Sequence, residues 1–349
     1  MLMRQKTGAV LFGLGLLCVV AAVGLVGLIV PALKQVPYDV TPPDIVVVAP
    51  SATFVSARTL PGGEPAVTVE TGTLRSETGI KPDNEAAAEL TGSLAGETLI
   101  WNVYQATDWV DRDLPVNRAE SRIALDRVSG AAAEWDGQCY SDTEAVESGT
   151  TGCEAGSITY AGQLYLFPFD TKKQTYQYFD GILRQSLPML YQGEEEVAGL
   201  ETYRFEQTVP QRELDLDEET LTQLLGFLAP EATTATMTYR ASRTLWVEPM
   251  TGGILGYREQ QHQELVPDVG SPVVIFNATF QYDDATADAV IEQARDGRAQ
   301  LFLLGRNLPI GLLVAGVLAA AAGFMLVFVR RATATRPADA TGGEPAQTS

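Results

Sequence analysis

The feature that most limits what this chain can become is an uncharged run near its far end, Pro309 to Val329. Its 21 residues, at about 1.5 Å each in a helix, reach roughly 30 Å, the thickness of a bilayer's hydrocarbon core. Arg330 and Arg331 follow at once. A second apolar run, Gly8 to Leu33, comes just after Arg4 and Lys6. It is longer than the apolar core of a secretion signal, and the residues leading to Lys34 lack a small-x-small cleavage pattern. It reads as an uncleaved anchor, with a cleaved signal as the alternative. Basic flanks favour the cytoplasmic side, so the expectation is a two-pass plasma-membrane protein with both termini cytoplasmic and the 275 residues from Lys34 to Leu308 outside.

Between the anchors there are 42 acids against 19 bases, a balance that repels phosphate backbones and argues against nucleic acid as a partner. Cys18 lies within the first run and reads as a small apolar filler. Cys139 and Cys153 sit 14 residues apart in a polar stretch, a spacing that suits a disulfide in an oxidising compartment. Closing that loop would stabilise by about 3 kcal/mol in the chain-entropy account. Two thiols with no nearby His make a poor metal site.

Along the outer region, β-branched and aromatic segments alternate with turn residues: 44–57 with Pro50 as an interruption, 98–110, 122–128, 203–209, 243–248, 254–266 and 273–282. Pro249 followed by Gly252 and Gly253 supplies a hairpin turn. From Ile158 aromatic residues crowd the sequence. Tyr165, Phe167, Phe169, Tyr203 and Trp246 read as sheet core or as a lipid-facing platform. Residues 217–228 read as a helix with Leu221, Leu224, Leu225 and Leu228 on one face, and 284–304 as a second, with Val290, Ile291 and Ala294 in a stripe. The boundaries expected are 1–33 for the N-terminus and first span, 34–283 for the outer domain, 284–308 for a stalk, 309–329 for the second span, and 330–349 for a disordered tail.

Catalytic signatures are sparse. His262 is the one histidine and stands in an alternating polar row with Arg258, Gln260 and Glu264, a solvated strand face. No nucleophile elbow, phosphate loop or dinucleotide fingerprint occurs, and no cofactor is expected. Asp215, Asp217 and Glu219 lack the glycine and distant glutamate of a calcium loop and read as helix capping. In the second span Gly311, Ala315, Ala319 and Gly323 recur every four residues and could admit a close helix, with Ala9 and Gly13 answering from the first span.

FPFDTKKQTYQYFD (167–180), GLETYRFEQTV (199–209) and RTLWVEPMTGGI (243–254), set between two anchors, resemble the actinobacterial membrane proteins of the porin PorA family. The likeness spans nearly the whole chain and implies an envelope protein of high-GC Gram-positive bacteria. It brings no catalytic residues with it. TYRFE and LWVEPMTGGIL also resemble periplasmic lipoprotein-carrier domains, which implies a curved sheet around an apolar cavity. The expected fold is membrane-anchored α+β: curved antiparallel sheets in an extracytoplasmic domain between two transmembrane helices. The expected function is non-enzymatic binding or transfer of membrane lipid or lipoglycan. A scaffold for another envelope membrane protein is the alternative. A strand-crossing porin and a carboxylate-only hydrolase rank below both, the first because the membrane segments read as helices.

Overall fold

The computed structural model describes residues 2–59, 65–142 and 153–328. The tail expected at 330–349, with Arg330 and Arg331, lies outside the described residues. Two compact units form, one of Pro31–Leu301 and one of the terminal helices.

In the helical unit, α1 (Leu2–Gly24) runs through a π-helical turn (Leu25–Ile29) to Val30, where α2 (Val30–Leu33) begins and the chain passes to the other unit. In the other unit come β1 (Ile45–Thr59), β2 (Pro65–Pro82), α3 (Asn84–Ala88), β3 (Thr98–Trp109), β4 (Leu114–Asp126), β5 (Ala131–Ala132), β6 (Cys139–Asp142), β7 (Gly162–Gln163), β8 (Tyr176–Asp180), β9 (Gln185–Val197) and β10 (Leu200–Leu214). Then follow α4 (Glu218–Leu228), β11 (Ala235–Val247), β12 (Ile254–Pro267), β13 (Val273–Tyr282) and α5 (Asp284–Phe302). A π-helical turn (Leu303–Asn307) leads to α6 (Leu308–Phe328) in the helical unit.

Among the described residues the strands pair in the order β3-β2-β1-β13-β12-β11-β10-β9-β8-β7-β5-β4, and β3 pairs with β4 along its whole length. That last pairing closes the ring. β6 hangs on β4 outside it. The expected open, curved sheets between two membrane helices are therefore corrected to one closed barrel of twelve strands. A period-two pattern reports one buried face, which an open sheet and a barrel satisfy equally. Only the pairing partners tell them apart.

Phe54, Leu74 and Trp109 share one interior cluster, Leu99, Trp101 and Ile123 another, and Phe205, Leu245 and Val247 a third. The other face is polar. Cross-strand rows such as Thr208, Ser242, Gln260 and Thr279, or Arg240, His262, Asn277 and Thr53, run over its outside. Pro50, which cannot donate to a ladder, does not end β1; the register with β2 shifts between Ala49 and Ala52, and the strand continues through a bulge. Pro210 is absorbed in the same way between Val209 and Arg212.

The helices of this unit close against the strands. Leu221, Leu224 and Leu228 of α4 pack on Met237, Leu265 and Ile275, where β11 begins and β12 gives way to β13. Ile291 and Ala294 of α5 pack on Leu200 and Leu255. The Asp283 carboxylate accepts from the Thr286 N–H at 2.8 Å, and the Thr286 hydroxyl accepts from the Val46 N–H at 3.0 Å, tying the start of α5 to β1.

Candidate functional site: the barrel interior

Gln207 on β10, Arg243 on β11 and Glu259 on β12 are direct register partners, so their side chains enter the barrel in one row. Arg243 alternates with Tyr239, Ala241, Leu245 and Val247, all buried, which is the inward row of β11. Its guanidinium bonds Asp180 of β8 at 2.6 Å and the Gln207 amide oxygen at 2.7 Å, and it pairs with Glu259. Tyr239 donates to Asp180 at 2.9 Å, and Tyr257 donates to Glu259. The Gln207 amide donates to the carbonyls of Tyr178 (2.8 Å) and Leu187 (3.1 Å).

Burial opposes charge on all three ions, since Asp180 is 0%, Arg243 5% and Glu259 6% exposed. What keeps Arg243 ionised is its company. Burial pulls its pKa down, but Glu259, Tyr257 and Asp180 together raise it well above the usual arginine value. The same burial pushes the Tyr257 and Tyr239 hydroxyls upward, helped by Glu259 for the first. With one cation between two carboxylates, the cluster carries a formal charge of −1.

Above this row the interior is occupied by rings. Phe167 is 2% exposed and stacks on Phe205 at 5.2 Å and on Tyr176 at 5.1 Å, edge-on. Of the aromatic residues read as sheet core or as a platform, Phe167 and Tyr203 share one cluster and the others lie apart. Tyr165 packs against Trp101 at 6.2 Å in a separate cluster, Phe169 is half-buried, and Tyr203 meets Tyr191 and lies under Lys173. Trp246 lies on the outer face and donates to Glu195 at 2.6 Å. Where an apolar cavity for lipid or lipoglycan was expected, inward side chains of these clusters pack against one another.

Cys139 and Cys153 are joined, with Cα atoms 5.5 Å apart. His262 sits on the outer face, its Nε2 at 2.9 Å from Glu264 and Nδ1 at 3.4 Å from Asn277, beside a shallow concavity of about 260 Å³.

In the helical unit α1 and α6 pack antiparallel. A Cβ on Gly15 would meet Ala320 N at 2.4 Å, and one on Gly323 would meet Phe12 N at 2.5 Å. The buried positions recur every seven residues, Gly8, Gly15 and Ala22 against Pro309, Gly316 and Gly323. Of the stripe read at period four, Gly323 lies in this contact, Ala319 is partly buried, and Gly311 and Ala315 are exposed. A step of seven stays on one helix face, whereas a step of four drifts round it. The signals missed in the sequence were this heptad and an arginine in an otherwise apolar inward row.

A family profile described as Porin PorA matches residues 7–325. A protein named "Porin PorA" from Corynebacterium resistens is 26% identical over 302 residues, covering 68% of this chain and 71% of that one. Another of the same name, from Corynebacterium amycolatum, is 21% identical over 392 residues, covering 93% and 99%.

Proposed function

This chain belongs to the Porin PorA family, and from that premise we propose that it is a non-enzymatic membrane protein that passes small polar solutes across an envelope membrane. The observation that carries the reading is the closed ring of strands in a chain with this family membership. Both findings overturn the expectation of lipid or lipoglycan binding, its scaffold alternative, and the low rank given to a porin.

The membrane crossing belongs, in this reading, to the helices. Residues 6–33 and the helical run 284–327 have the length and apolar composition to cross a bilayer. A barrel crossing by its strands needs an apolar belt facing lipid, whereas the outer rows here contain Arg240, His262, Asn277 and Gln260. We place both termini in the cytoplasm and the barrel on the far side of a plasma membrane. Support comes from the basic residues Arg4 and Lys6 and from the antiparallel packing of α1 and α6.

Purified full-length chain in a planar bilayer is expected to give discrete conductance steps above a detergent control. A silent bilayer at saturating protein would end the reading. For the topology, Thr91→Cys in intact cells is expected to react with an impermeant thiol reagent and Thr7→Cys to be shielded; the reverse pattern would refute it.

A further inference from the structure

The ring is sewn unevenly. Between β10 and β11 partners run from Tyr203 to Leu214, and between β11 and β12 from Ala235 to Val247. Between β4 and β8 the circuit depends on Leu125 with Ala132, on Ala131 and Ala132 with Gln163 and Gly162, and on Gln163 with Tyr178 in a parallel pair. Opening the barrel here breaks the fewest ladder bonds of any place on the ring.

One segment holds this seam. The Gln163 amide donates to the carbonyls of Ser129 and Leu166, both at 2.8 Å, and the Tyr178 hydroxyl donates to Leu164 O at 2.8 Å. Further on, Phe167 N–H donates to Gly252 O at 3.0 Å and Thr171 N–H to Pro249 O at 2.7 Å, so the segment is laid along the β11–β12 turn. Glycine is forced at both ends of this contact: Gly162, within the segment, has φ +70° with Gln177 O at 2.4 Å from a would-be Cβ, and Gly252, which receives it, has φ +74° with Phe167 O at 2.0 Å. The segment then drives Phe167 into the interior, where it rests on rings borne by wall strands. Phe167 itself belongs to no strand.

We propose that residues 161–171 form a strap that opens the barrel at the β4–β8 seam, with Phe167 as its plug. The proposal rests on the solute-passage reading, because the clusters packed inside the ring must part before anything passes, and Phe167 and Tyr165 are interior rings carried by the strap rather than by a long strand. Ala131 and Gln163 are direct partners, so Ala131→Cys with Gln163→Cys can lock the seam by a disulfide. In planar bilayers the oxidised double variant is expected to conduct about tenfold less, or lower still, than its reduced form, as for any two-state element held in one state. Wild-type chain under the same oxidant and reductant controls for Cys139–Cys153. Equal conductance when locked would overturn the strap while leaving solute passage standing. Silence from every form, wild type included, would remove both. Should the double variant fail to fold, Phe167→Ala alone is expected to raise open time about tenfold; an unchanged open time would overturn the plug.

Discussion

Two stretches of one ring, β10 to β12 and β5 to β8, are held together by different means. In the first, long ladders carry alternating side chains inward, and Arg243 on β11 binds Glu259 on β12 and reaches past β10 and β9 to Asp180 on β8. In the second, β5 and β7, two residues each, are held by the Gln163 amide, a tyrosine hydroxyl and two glycines set close to carbonyl oxygens. The first kind of wall resists opening because every broken pair also exposes core. The second can be released by moving one segment, and that asymmetry is what a closed ring needs if it is to open reversibly.

The sharpest way to break this contrast is at Arg243. Arg243→Met leaves Asp180 and Glu259 buried with no cation, and removing one partner of a buried pair costs about 3–5 kcal/mol. Chemical denaturation should show a loss of that order. Adding Asp180→Asn and Glu259→Gln should restore most of it, and failure of the triple variant to recover would mean that the cost lies in packing. Next in size is Gly252→Ala, which puts a Cβ at φ +74° and 2.0 Å from Phe167 O. Backbone strain of this kind costs about 1–3 kcal/mol. The loss should appear as faster amide exchange at Phe167 and Thr171 with the β10–β12 wall unchanged; equal loosening of both would erase the distinction.

Alkaline pH probes the interior more gently. Tyr140 is pushed up by burial, and then by Asp142, from 10.0 to about 12, and burial likewise raises Tyr239 and Tyr257. Above pH 10 the unfolded chain has released protons that the folded one still holds, so stability is full below pH 10 and falls as pH climbs toward 12. Denaturation midpoints at pH 9, 10.5 and 11.5 should descend, and a flat series would show these hydroxyls to be solvated. The smallest effect is expected at Asp217, which caps α4 by accepting from the Thr220 N–H at 2.8 Å. Asp217→Ala should lower the denaturation midpoint slightly, by less than Gly252→Ala, and a larger loss would give α4 more of the closure than its leucine face explains.

What the sequence made legible divides along the same line. Residues 203–209 and 243–248 advertise their inward faces by period two, and 217–228 announces a helix with its cap. The helical pair shows in its apolar length. The seam does not show, because Ala131–Ala132 and Gly162–Gln163 are too short to carry a period, and a ring is defined by which strands meet rather than by what any strand looks like. Arg243 was in plain sight between Ala241 and Leu245. Its partner Asp180, 63 residues away in sequence, was findable only as another charge ending an inward row, Tyr176 and Tyr178 before it. The aromatic residues that read as sheet core or as a platform divide, Phe167 and Tyr203 in one interior cluster, Tyr165 in another and Trp246 on the outer face, because aromatic content specifies burial and not which neighbours share it.

Hydrogen exchange read residue by residue around the barrel tests the central claim most directly. Amides at Ala131, Ala132, Gly162 and Gln163 are expected to exchange about a hundredfold faster than those of 203–209 and 239–247, through local opening that leaves the long ladders closed. Equal protection all round the ring, or a seam slower than the wall, would contradict a barrel built to open at one place.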